Sequence, residues 1–249
     1  MFWSSPYITW TKPQSILGQI CLYRELPEQA AISWSGGKDS ALALHRIKTS
    51  GKYNLVSLLS VVNTDSARVS IHCTRLELLR TQAKSLRLPI VQVSLRNGAP
   101  NEEYERTLGA QLRKLREKGV ITVIYGDIYL EDVREYRERL HEKYGIACEF
   151  PNWGEDTSEL SRALVTLGIK AVLCSVNLST LSPDYVGRRY DASLIESLPK
   201  GVDPCGEKGE FHTFVYDSPD FFEPVHFQMG NRFERDGFAY VDLTPAPRV

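Results

Sequence analysis

From residue 30 onward, five near-continuous apolar runs, at 30–34, 55–62, 90–95, 120–125 and 171–176, alternate with longer stretches of helical period. A run that is apolar at almost every position fits a strand covered on both faces. Strands separated by amphipathic helices are the pattern of βα units that close a parallel sheet. The helical stretches fall at 40–48, 75–86, 102–118, 131–144 and 157–167. On the third of them Leu108, Leu112 and Leu115 recur at helical spacing, while Arg113, Lys114, Arg116 and Glu117 fill the other side. That charge cluster reads as a solvated helix face and not as an RNA-binding patch. After Ser175 the texture changes: 177–190 is rich in Ser, Pro and Gly, 201–209 is a glycine-bearing loop, and 211–216, 224–229 and 238–243 read as an antiparallel tail. The expected fold class is α/β, a parallel-sheet nucleotide-binding domain at 30–145 followed by a smaller α+β domain at 146–249. Residues 1–29 have no clear period and receive no role.

Length and charge narrow what such a chain binds. A chain of 249 residues buries roughly 70–75% of its unfolded surface, enough to fold without disulfides or a structural metal. Thirty Lys plus Arg against 31 Asp plus Glu leave no global basic field, which argues against nucleic acid and acidic lipid as partners. An anion site must therefore be local. The five cysteines, at 21, 73, 148, 174 and 205, form no CxxC or CxxH cluster, the usage of a reducing compartment and not of a zinc site. His45, His72, His141 and His226 show no ligand spacing. No apolar run approaches the roughly 18–20 residues that span a bilayer, and the N-terminus lacks a basic patch leading into an apolar stretch. The expectation is a soluble, cytoplasmic protein with no membrane partner, and the sequence leaves homo-oligomerisation open.

The local anion site is Ser35-Gly36-Gly37-Lys38-Asp39-Ser40, placed between the first strand and the first helix. Two glycines let backbone N–H groups approach an anion, Ser35 and Ser40 add hydroxyls, Lys38 adds charge, and the helix N-terminus presents its positive end. The ATPase pattern GxxxxGK[ST] fails, because Ile32 stands where its first glycine belongs and Asp39 follows the lysine; GxGxxG fails too. Asp39 would repel bare phosphate, so it either works through a magnesium ion or caps the helix. Gly126-Asp127, at the end of the fourth strand, lies where ligands gather in open parallel sheets. Asp127 is therefore placed for function or, in the other reading, caps the helix at 131–144.

Further along come Phe150-Pro151-Asn152-Trp153-Gly154, then Arg188 and Arg189, and then Gly206-Glu207-Lys208-Gly209-Glu210-Phe211-His212-Thr213. Glu207 and Glu210 around paired glycines make a negative site suited to ammonium, and a carboxylate or His212 could accept the proton that ammonia must lose. Arg188, Arg189 or Lys208 could neutralise phosphate.

The SGGKDS segment resembles, residue for residue, the loop of the PP-loop ATP pyrophosphatases. Taken with the GD element at Gly126-Asp127, the P-x-W segment at Pro151–Trp153 and the GE-x-GEF-x-T motif at Gly206–Thr213, the chain is similar over roughly residues 30–225 to the diphthine–ammonia ligase family. Residues 1–29 and 63–73 do not follow that family's pattern. The resemblance implies a HUP-type α/β domain closed by a smaller C-terminal domain. It also implies ATP with Mg2+, cleavage of ATP to AMP and pyrophosphate, and conversion of a carboxylate, diphthine on elongation factor 2, to an amide with ammonium. Together with the residue chemistry above, the expected nucleotide contacts are Ser35, Gly36, Gly37, Lys38, Asp39, Ser40, Gly126 and Arg188, and the expected catalytic residues are Lys38, Asp127, Glu207, Glu210 and His212. Asp39 and Asp127 are the candidates for the metal. Two other readings stand beside it: a PP-loop RNA-thiolating enzyme using Cys174 and Cys205, and a non-catalytic adenine-nucleotide-binding regulator.

Overall fold

The computed structural model describes residues 27–69 and 74–246; the residues outside those ranges include Cys21, His72, Cys73 and most of the segment 1–29. The first sheet is built from β1 (Glu28–Ser33), β2 (Tyr53–Asn63), β4 (Ile90–Leu95), β5 (Val120–Ile124) and β6 (Ala147–Glu149), all parallel, in the order β4-β2-β1-β5-β6. The two-residue β3 (Arg68–Val69) runs antiparallel to the end of β2. Helices α1 (Lys38–Ser50), α2 (Leu76–Leu86), α3 (Asn101–Glu117) and α4 (Glu131–Glu142) connect the strands. The chain runs outward from β1 through β2 to β4, then returns to the other side of β1 as β5. The order therefore reverses beside β1, and the crevice at the carboxyl ends of such strands is where ligands bind.

Alternate residues of β1 go to opposite faces, as the pleat requires. Ala30 and Ile32 pack with Leu42 and Leu44 of α1 and Leu78 and Leu79 of α2, whereas Ala31 packs with Leu108 and Leu112 of α3 and Leu140 of α4. The polar side of α3 is solvated as expected, with Arg113, Lys114, Arg116 and Glu117 exposed.

The second sheet differs from the first in direction. Here β7 (Lys170–Asn177) is central, antiparallel to β8 (Arg189–Tyr190), to β9 (Phe211–Asp217) and to β11 (Phe238–Pro245), and β11 carries β10 (Phe227–Arg235) at the edge. The run at 171–176, which in sequence continues the βα alternation, thus belongs to an antiparallel sheet. A strand buried on both faces has the same apolar texture in either kind of sheet. The strand expected at 224–229 begins at Phe227 and extends to Arg235, because most of β10 is exposed and carries no apolar pattern. The first sheet also runs past Gly145, since β6 pairs with β5 at residues 147–149.

The two sheets are joined through α1, which touches β1, β2 and β9, and through α2, which touches β11. One apolar core holds residues of both halves, Leu42 and Leu79 with Leu173 and Phe214. Arg68 and Arg75 add an ionic tie to Asp242 of β11, with the Arg75 contacts at 2.9 and 2.7 Å. Those guanidinium groups, Arg75 foremost, hold the Asp242 carboxyl down at about 2. No helix among the described residues is long and apolar enough to cross a membrane.

Candidate active site

The turn between β1 and α1 is held from three directions. Gly36 has φ +81°, open to glycine at no cost, and a Cβ there would lie 2.8 Å from Gln82 Oε1. Gln82, fully buried on α2, accepts from Trp34 Nε1 at 2.9 Å and donates to the carbonyls of Gly36 at 3.0 Å and Val215 at 2.6 Å. The N–H of Val215 on β9 donates to Gly36 O at 2.9 Å, and the N–H of Lys38 donates to Thr213 Oγ1 at 3.1 Å. Gly37 N donates to Ser35 Oγ, and Ser40 Oγ donates to Gly37 O. The second half of the chain therefore supports the phosphate-type loop directly.

Lys38 is only 2% exposed. Its Nζ donates to both Asp39 oxygens, at 2.8 and 2.9 Å, and to the carbonyl of Cys205, beneath the rings of Tyr190 and Phe211. Burial alone would lower its pKa, but the groups around it, Asp39 foremost, with Cys205 and Glu207, together more than offset this and leave Lys38 above the ordinary lysine value. Asp39 sits in the first turn of α1 and makes no cap; the N-cap position is Gly37, with no side-chain bond.

Gly126 follows β5 and makes a close packing contact with the start of α1. A Cβ on it would meet the Asp39 carbonyl carbon at 2.7 Å and Ser40 N at 2.9 Å. Asn152, fully buried in the Pro151–Trp153 segment, clamps the same point by donating from Nδ2 to Asp39 O at 3.1 Å and Gly126 O at 3.3 Å. Asp127 does not cap α4, whose N-cap is Leu130. Its carboxylate pairs with Arg137 instead, at 2.9 Å to Nε and 3.2 Å to Nη2.

The two glutamates of the late motif part company. Glu210, 3% exposed, uses one oxygen for the N–H of Asp203 and the other for the N–H of Lys208, each at 3.0 Å. It closes the loop 203–210 and lies outside the cleft. Glu207 accepts from the Ile128 N–H at 3.0 Å and lines the cleft. Burial pushes its carboxyl up to about 7, with the Asp39 charge adding to the rise and the Ile128 bond opposing it.

The cleft has a volume of about 340 Å³ and brings together Ser35, Lys38, Asp39 and Ser40 with Gly126, Asp127, Glu207 and His212. Gly36 and Gly37 form the loop beneath it. Arg188 is not among its lining residues; its guanidinium lies 4.8 Å from the Tyr185 ring centre. Among the described residues no group of three or more His, Cys, Asp or Glu is arranged for a metal. Asp39 and Asp127, two of the three carboxylates lining this cleft, would suit an ion of the magnesium kind, which keeps waters and phosphate oxygens as its other ligands. Sequence reasoning missed Gln82, Asn152 and Arg137 as supports. Only Asn152 carried a signal, through its place between Pro151 and Trp153.

A parallel sheet whose first strand feeds a glycine turn, a buried lysine and a carboxylate-lined cleft at the switch point defines a nucleotide-dependent α/β enzyme. Residues 28–148 match the diphthamide synthase N-terminal domain, and residues 156–244 match the diphthamide synthase C-terminal domain. Human diphthine–ammonia ligase is 24% identical over 216 residues, covering 77% of this chain and 79% of that protein; the rat enzyme is 25% identical over the same shares. The chain belongs to the diphthamide synthase family, and it is an ATP-dependent ligase that forms a carbon–nitrogen bond.

Proposed function

We propose that the chain adenylates a carboxylate with ATP and aminates it with ammonium, releasing AMP and pyrophosphate. The carboxylate is that of diphthine on elongation factor 2, in keeping with the name of its relatives. The observation that carries this reading is the shared cleft: Lys38 and Asp39 of the first half line the same space as Glu207 of the second. A cation suited to a leaving pyrophosphate and a carboxylate suited to ammonium thus address one volume.

An adjoining cavity of about 300 Å³ is lined by Trp34, Leu59, Val61, Tyr104 and Tyr125, apolar and aromatic walls suited to adenosine at the carboxyl edge of the sheet. With the base there, the phosphates extend toward the loop. A carboxylate oxygen bonds to the α-phosphorus as the bond to pyrophosphate breaks, and negative charge grows on the leaving group. Lys38 exchanges Asp39 for that charge, supported by the N-terminus of α1. Asp39 would be the hard oxygen donor for a magnesium ion arriving with the nucleotide, and the ion would supply further neutralisation of phosphate. Glu207 then holds ammonium by charge and takes its proton, which frees the nitrogen lone pair to attack the acyl carbon and displace AMP. His212, on the same wall, is the second candidate acceptor. Glu210 keeps the turn in shape and does not handle ammonium.

The cysteines weigh against RNA thiolation. Burial pushes the Cys205 thiol up to about 12 and its Sγ donates to Thr157 O, so it supplies no thiolate near neutral pH, and Cys174 is buried within β7. The test is product analysis with ATP, ammonium and elongation factor 2 bearing diphthine. The expected result is AMP, pyrophosphate and amide in equal amounts, with no amide when ammonium is omitted. Sulfur incorporation, or nucleotide binding without turnover, would overturn the reading in favour of a thiolase or a regulator.

A further inference from the structure

The adenosine-type cavity and the phosphate-loop cleft share four lining residues: Ser33, Ser35, Tyr125 and Arg137. Arg137 is the only cation of the four. A nucleotide whose base occupies the first cavity and whose pyrophosphate occupies the second must place its α-phosphate at their common wall. We infer that Arg137 contacts the α-phosphate and stabilises the charge on it during adenylyl transfer, an assignment that rests on the nucleotide reading above.

The guanidinium is built in place. Arg137 Nη2 donates to Asp127 Oδ1 at 3.2 Å, the other carboxylate oxygen lies 2.9 Å from Nε, and the Tyr125 ring centre lies 4.2 Å from Cζ. Tyr125 is fixed in turn by a 2.7 Å hydrogen bond with His141 Nε2. Burial, with the Arg137 charge, pushes His141 down to about 4, so no second positive charge competes there. Arg137 side-chain exposure is 23%, enough to reach a ligand and low enough to strengthen a charged contact. An arginine has five donors in a planar fork, and this pairing leaves part of the fork for phosphate oxygens. The step needs no proton. The carboxylate oxygen bonds to the α-phosphorus, the electron pair of the broken bond leaves with pyrophosphate, and Arg137 stays with the oxygens that remain on phosphorus through the adenylate.

The experiment compares adenosine with AMP, two ligands that differ by the group in question, by calorimetry on the full chain. A charge-assisted contact of this kind is worth about 1.5–3 kcal/mol, so wild type should bind AMP at least about tenfold more tightly than adenosine. Arg137→Gln should erase most of that preference and change adenosine affinity far less than AMP affinity, while Arg137→Lys should restore part of it. Arg137→Gln strands the Asp127 charge, so Arg137→Gln/Asp127→Asn is measured beside it with a melting curve for each. Retention of the AMP preference in the folded double variant would overturn the assignment. Parallel loss of adenosine binding would also overturn it, by showing that Arg137 only holds up the pocket. If wild type binds neither ligand, the nucleotide site itself is wrong and the assignment falls with it. In the supported case, carboxylate-dependent exchange of pyrophosphate into ATP should fall about a hundredfold or more in Arg137→Gln, the size of losing one transition-state donor.

Discussion

Gly126→Ala isolates the junction that holds the phosphate loop against β5. The added methyl would stand 2.7 Å from the Asp39 carbonyl carbon, 2.8 Å from its oxygen and 2.9 Å from Ser40 N. All three are backbone atoms in the first turn of α1, so no side chain can rotate away. Ordinary contacts between such atoms begin near 3.4 Å, and relief requires the strand end and the helix start to part by about 0.5–0.7 Å. Asn152 bonds to both carbonyls at this point, at 3.1 and 3.3 Å, and the same displacement stretches those bonds. Overpacking of this kind costs about 1–3 kcal/mol, which for a chain of this size lowers Tm by about 2–4 °C per kcal/mol. The effect on catalysis should be larger than the effect on folding. The displaced turn carries Lys38, and a shift approaching 1 Å in a positioning element costs up to about a hundredfold in rate. Denaturation measures the first quantity and ATP-dependent amide formation the second. A Gly126→Ala protein with wild-type Tm and wild-type rate would refute the close approach and, with it, the view that glycine is required here for packing.

Lys38→Ala should retain the fold and lose about a hundredfold to a thousandfold in pyrophosphate release, and a near-normal rate would remove the lysine from the leaving-group role. Amide formation should rise with pH and be half-maximal near 7, where Glu207 loses its proton, and Glu207→Gln should flatten that rise in a pH–rate profile. The folded Glu207 pKa lies above its ordinary value, so its ionisation costs stability as pH climbs through about 7; the glutamine variant should therefore gain Tm over wild type at pH 8 but not at pH 5. Glu210→Gln leaves one backbone N–H of the 203–210 loop without its partner, at a cost of about 1–3 kcal/mol, and titrations should show ATP binding and amide formation falling together. Asp242 is held at about 2, so its contribution is present above the ordinary aspartate range and lost as pH falls toward 2. Asp242→Asn should thus weaken the acid dependence of unfolding between pH 4 and 2.

What could be read from the sequence was whatever depends on near neighbours. The order of strands and helices through Leu86 and Leu115 followed from period alone, and the glycine turn with Lys38 could be recognised because loop, charge and helix start lie within six residues. The supports were hidden because they act across long separations: Gln82 reaches Gly36 across 46 positions and Val215 across 133. Glutamine on an otherwise apolar helix face gives no sign of which carbonyls it will meet. That Arg188 lies outside the cleft lining was hidden for the same reason. A surface arginine in a Ser- and Gly-rich stretch is a plausible cation in any fold, and only the path of β8 decides which way it lies.

Glu207 and Glu210 show where linear pattern stops. They are the same residue type three positions apart, in a motif whose chemistry suits both to ammonium, yet they do opposite work. Gly209, at φ +80°, reverses the chain between them. Beyond that turn Glu210 faces back into the loop, and its two oxygens satisfy two backbone N–H groups that would otherwise be buried without partners. Glu207, ahead of the turn, receives one N–H and keeps its other oxygen for the cleft. Glu210 thus has both oxygens taken up by the backbone of the loop it closes. Glu207 is desolvated with an incomplete set of donors, the condition that leaves its carboxyl near neutrality and suits it to the proton transfer proposed above. The proposed reaction therefore needs both glutamates, since Glu210 holds the turn in the shape that leaves Glu207 lining the cleft.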